Sequence, residues 1–191
     1  GLQQGLVTTS SGGSNPVRVT GNSATVDVAG EVRSSSGDAT AILVEGNDAQ
    51  VTVLDMGLVT AQSSNSDAIG VTGTGATIRV EVGGEVVISS GNSSGIVAGE
   101  MGTVEIAGTV SASSSDSAGV VLGDRGSLTV EQGGLIETSS SESQAVLVSS
   151  DATRADITVA TGGDIDAVGA QAIVDEGSTN TTVTVDGIVF G

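Results

Sequence analysis

Ala41-Ile42-Leu43-Val44-Glu45-Gly46, then Ala49-Gln50-Val51-Thr52-Val53, then Gly57-Leu58-Val59-Thr60-Ala61, closed by Gln62-Ser63-Ser64-Asn65-Ser66-Asp67, is the stretch on which the fold turns. Each run alternates apolar and polar residues and ends in Gly or in a Ser/Asn/Asp cluster. That pattern predicts three short strands and three turns. The strands are here called a, b and c.

The same layout recurs along the chain. The glycine that opens strand c falls at Gly5, Gly30, Gly57, Gly84, Gly108, Gly134, Gly163 and Gly187, at spacings of 25, 27, 27, 24, 26, 29 and 24 that average 26. A fixed period of roughly 20–50 residues marks a solenoid, propeller or array. Three short strands per period select an all-β fold, a parallel β-helix of about seven coils. Residues 1–191 then form a single solenoid segment. Gly5 to Ser10 already matches strand c, and Gly187 to Gly191 matches it again. The expectation is a piece of a longer solenoid, or a subunit that stacks end to end.

Because strand side chains alternate between faces, each b strand sends two aliphatic residues inward. The expected columns are Val26, Val51, Ile78, Val104, Leu128, Ile157 and Val183 beside Val28, Val53, Val80, Ile106, Val130, Val159 and Val185. Strand c adds Val32, Val59, Val86, Val110, Ile136, Ile165 and Val189. One coil orders about 26 residues at roughly 1.5 kcal/mol each, whereas each buried aliphatic side chain returns roughly 1.5–3 kcal/mol. No coil is stable alone, so each depends on its neighbours.

Composition narrows the function. Five Arg and no Lys face 23 acidic residues, for a formal charge of −18 with no His. Nucleic acid and anionic membranes are poor partners, since both need a cationic footprint. Phe190 is the sole aromatic residue, which weighs against flat stacking platforms for sugars or bases. With no Cys there are no disulfides, thiol nucleophiles or zinc-thiolate sites. No run approaches the 18 or more apolar residues of a membrane helix, so no membrane insertion by this segment is expected. Periodic Val and Ile argue against disorder despite 30 Gly and much Ser.

The recurring phrase is a Gly-x-Val strand, a Ser-rich turn, an Ala-Ile or Gly-Ile strand and an Ala-x-Val-x-Val strand. Ser113-Ser114-Ser115-Asp116-Ser117-Ala118-Gly119-Val120-Val121 shows it best. It resembles the passenger domains of bacterial autotransporter and haemagglutinin-like adhesins. The resemblance spans nearly the whole chain as a repeat grammar without an invariant functional residue. It implies a right-handed β-helix, secretion across the outer membrane, an extracellular or cell-surface location, and adhesive or stalk duty. The partner would be a ligand on a host or neighbouring cell, or copies of the chain itself.

Catalytic, cofactor and metal sites are not expected. Pectate lyases and polygalacturonases resemble this fold and line one groove with carboxylates and bases. Here the outward b positions are Thr25/Asp27, Gln50/Thr52, Thr77/Arg79, Thr103/Glu105, Ser127/Thr129, Asp156/Thr158 and Thr182/Thr184. Asp27 and Glu105 are coils apart, and Arg79 beside Glu105 reads as an ion pair. An ice-binding ladder needs Thr-x-Thr in nearly every coil, and only Thr182/Thr184 has it. Calcium takes roughly six to eight oxygens, whereas Asp38, Asp67, Asp116 and Glu142 bring one carboxylate per Ser-rich turn. Those turns read as solubilising, and as possible carriers of O-linked sugar.

Strand a holds a less bland feature. With Ile42, Val44, Ile69, Val71, Ile96, Ala98, Val120, Leu122, Val146, Val148 and Ile173 inward, Leu43, Val97, Val121, Leu147 and Val174 face out as a stripe broken only at Gly70. An apolar stripe on the outside suggests a contact surface. A register slip of one residue would exchange the two sets.

Overall fold

The computed structural model describes residues 5–9 and 11–191. Of the segment Gly5–Ser10, Leu6–Thr9 is a strand; Gly1 to Gln4 and Ser10 lie outside the described residues. The described chain is all-β, with three parallel sheets stacked as a solenoid of about seven turns. The quoted stretch folds as strand a over Ile42–Val44, strand b over Gln50–Val53 and strand c over Leu58–Ala61. Each pairs in register with its counterpart one coil on: Ile42 with Ile69, Val51 with Ile78, and Val59 with Val86. Among the described residues sheet c has eight strands and sheets a and b seven each. Seven coils at about 4.8 Å each make a rod about 34 Å long.

Coil 1 is counted from the a strand Val17–Val19 and coil 7 from Gln171–Asp175. Through coils 2 to 6 the columns expected to face inward are almost completely buried: Val51, Ile78, Val104, Leu128 and Ile157 in one, Val53, Val80, Ile106, Val130 and Val159 in the next. The columns open only at the ends. Val183 and Val185 in coil 7 are 45% and 46% exposed, because no coil lies over them.

Corners are made by residues in the left-handed region. The turn from c to a uses Asp38, Asn65, Asn92 and Asp116, all at φ between 52° and 58°. Asn and Asp are the side chains that tolerate this region best. Two carboxylates that suggested calcium therefore shape the backbone.

The Ser-rich corners are also not simply polar coat. One residue in each, Ser66, Ser93, Ser117 and Ser143, is buried under 3% exposure in line with Ala39. Ser66 Oγ accepts the Ala39 N–H at 3.3 Å and donates to the Ser36 carbonyl at 3.0 Å, joining its corner to the one before. Ser117 Oγ does the same to the Ser90 carbonyl at 3.1 Å. A buried N–H or C=O without a partner costs about 1–3 kcal/mol. Ser66→Ala is therefore expected to destabilise by about that amount in denaturant titrations, while Ser64→Ala, at an exposed site, stays within about 0.5 kcal/mol.

Candidate functional site

Two places on the outside differ from the rest of the rod. The first is the outward face of sheet a. Pairing sets Arg18, Leu43, Gly70, Val97, Val121, Leu147 and Val174 in one file, one residue per coil, so the apolar stretch begins at coil 2. In coils 2 to 6 the residues on either side in each strand belong to the buried columns, so the file points away from the core. Leu43, Val97, Val121, Leu147 and Val174 are each half-buried rather than exposed, because in-register neighbours cover their flanks. Gly70 is buried: a Cβ there would stand 3.1 Å from Thr40 Cγ2.

Asp67 borders this face at the start of its strand. Its Oδ1 accepts the Ser94 N–H at 2.8 Å. Burial pushes its carboxyl above the ordinary carboxylate value, only partly opposed by the Ser94 hydrogen bonds. A raised folded value contributes stability below the unfolded value and loses it as pH rises through the folded one. Asp67→Asn retains an oxygen for Ser94 and removes the charge. It is expected to raise the unfolding midpoint at neutral pH, with the gain vanishing in acid, as read by scanning calorimetry across pH. Asp124 and Asp175 shift the other way. Thr153 donors hold Asp124 down, and Ser178, Thr181 and Gly177 donors hold Asp175 far down. Their contributions are present above the unfolded carboxylate value and are lost as pH falls through the lowered folded ones.

The second place is a notch at the b–c corner. In coils 2, 3, 5 and 6 this corner is a hydrogen-bonded turn, closed by Gly57 N–H to Leu54, Gly84 N–H to Glu81, Gly134 N–H to Glu131 and Gly163 N–H to Ala160 at 2.8–2.9 Å. Coil 4 lacks it: the chain runs Ile106-Ala107-Gly108 directly into strand c. The missing turn leaves an open notch of about 280 Å³ between its neighbours, lined by Arg79, Glu81, Val82, Glu105, Ala107 and Glu131. Arg79 and Glu105 form the expected cross-coil ion pair, both partly exposed, which contributes about 0–1 kcal/mol. The remaining carboxylates and the 70% exposed Val82 give an acidic recess with one apolar wall.

The notch was legible in principle. The spacing from the last b residue to the c glycine runs 2, 4, 4, 2, 4, 4, 2 along the chain, but strand patterning alone does not draw attention to it. A larger hollow of about 570 Å³, lined by Val7, Val17 and Val26 among the described residues, lies at the coil 1 end of the core. Among the described residues no three acidic side chains are grouped as a metal site would need. The chain matches no family model, no curated protein and no solved structure.

Proposed function

We propose that this chain is a non-enzymatic structural and adhesive rod, a stalk or passenger segment of an extracellular or bacterial cell-surface protein. One observation carries the reading: the aliphatic columns run unbroken from coil 2 to coil 6, so the repeats build length around a filled interior. The autotransporter-like repeat grammar supports the surface location, and an acidic coat keeps such a rod soluble and separate from anionic envelopes. The partner is a ligand on a host or neighbouring cell.

The test is retention of bacterial or host cells on surfaces coated with the protein under flow. Retention above that on a coating of an unrelated acidic protein is expected. Equal retention on both, or release of unsaturated uronides from polygalacturonate, contradicts the reading.

A second reading is a head-to-tail filament. Leu6, Ile188 and Phe190 on the terminal strands of sheet c are 56–61% exposed, and Leu6 and Ile188 belong to the same file of the repeat. Fibres in negative stain would favour it.

A further inference from the structure

We propose that the gap left by the absent coil 4 turn takes an extended basic peptide segment of a partner protein, whose main chain stands where the turn would. The turns on either side show what this place holds elsewhere in the rod. Met56, Gly83, Gly133 and Gly162 occupy the third position of the turn in coils 2, 3, 5 and 6, all at φ between 62° and 84°. Met56 N–H donates to the Gly83 carbonyl at 3.1 Å, and Gly133 N–H donates to the Gly162 carbonyl at 2.8 Å. Each turn therefore points its third N–H at the coil after it and its third carbonyl at the coil before it.

Coil 4 interrupts this series. Gly83 N–H and the Gly133 carbonyl are directed into the gap from its two sides, and neither has a main-chain partner among the described residues. The bounding turns are two coils apart, about 9.6 Å at about 4.8 Å per coil, which is the room one extended chain needs between two others. The space is open on the Gly133 side. A Cβ on Gly83 would meet Asp55, and one on Gly162 would meet Gln132, each from the turn of the coil before, whereas one on Gly133 would meet nothing within 4 Å. A trans peptide group points its C=O and N–H in opposite directions. One such group laid in the gap accepts from Gly83 and donates to Gly133, which is strand addition confined to a single corner.

Charge selects the peptide. Three carboxylates, Glu81, Glu105 and Glu131, and one guanidinium, Arg79, leave the lining two charges negative. Arg79 is paired with Glu105, so the carboxylates left for a ligand are Glu81 and Glu131, one on each bounding turn. A Lys side chain lays its methylenes along exposed Val82 and holds its ammonium between these two. One main-chain pairing and one surface ion pair set the dissociation constant at about a millimolar. The inference does not rest on the adhesive reading, because cells held by another face of the rod leave it standing.

Amide NMR of the isotope-labelled full chain, titrated at low salt with acetyl-Gly-Lys-Gly-amide, tests it. The Gly83 and Ala107 amides are expected to shift saturably, with half-saturation at about a millimolar, while acetyl-Gly-Glu-Gly-amide leaves them in place. Inserting Thr-Gly between Ala107 and Gly108 gives coil 4 the turn of coil 6, Ala160-Thr161-Gly162-Gly163, and is expected to abolish the response. Circular dichroism reports whether that variant is folded. Glu131→Gln, which removes one surface charge, is expected to weaken binding about threefold and tests the proposal independently of the insertion. The proposal is overturned by the absence of a saturable shift at Gly83, by equal shifts from the two peptides, by a response that the folded insertion variant retains, or by one that Glu131→Gln leaves unweakened.

Discussion

Gly134→Ala lowers the thermal midpoint by about 6–12 °C, far more than the same change at its neighbour Gly133. A Cβ on Gly134 would lie 2.0 Å from the carbonyl oxygen of Ile106 in the coil before. That oxygen belongs to the backbone of a packed strand and cannot rotate away, so the coils must separate. Overpacking a filled site costs about 3 kcal/mol or more when nothing yields, and in a chain of this size each kcal/mol moves the midpoint by about 2–4 °C. Gly133 has a different constraint. It sits at φ +84° with nothing within 4 Å of a Cβ, so alanine there meets only the left-handed penalty of about 1–2 kcal/mol. Gly57, whose added Cβ would stand 2.1 Å from the Val28 oxygen, is expected to behave like Gly134. Thermal melts of the alanine variants check the order, and equal shifts at Gly133 and Gly134 would contradict it.

Ile106→Ala destabilises by about 2–5 kcal/mol, while Val185→Ala, in the same file of the repeat, changes stability by about 0.5 kcal/mol or less. Both residues occupy the second inward column of sheet b. Ile106 is completely buried between Val80 and Val130, so its truncation leaves a cavity that neither neighbour can fill. Val185 is 46% exposed at the end of the stack, and water already reaches it. Chemical denaturation of the two variants measures the contrast. Equal losses would mean that coils do not depend on their neighbours as a stacked rod requires.

The fold was legible because its constraints are local and repeated. The c-strand glycines recur where the backbone of one coil touches the next, and the alternation of Val51 and Val53 with Gln50 and Thr52 fixes which way each side chain points. Register on strand a was open to a slip of one residue. The structure resolves it, since Ile42, Ile69 and Ile96 are fully buried and Leu43 and Val97 are not. The serine corners were misread because serine is equally at home in water and in a satisfied hydrogen bond. Nothing in Ser63-Ser64-Asn65-Ser66 marks Ser66 as the buried one, which depends on the Ala39 N–H one coil away. The coil 4 notch arises from an absence, two residues fewer at Ala107, and shows only once the turns beside it are in place.

The chain has no cysteine, so pairs of spin labels can be placed at will on outward positions of strand b. Thr25, Gln50, Thr77, Thr103, Ser127, Asp156 and Thr182 occupy one file of sheet b, one residue per coil. Dipolar distances from a label at Thr25 should lengthen in equal steps, reaching about 19 Å at Ser127, about 24 Å at Asp156 and about 29 Å at Thr182 at about 4.8 Å per coil. Distances that fail to grow with coil number, or that cluster at one value, would show that the chain does not wind into a stack.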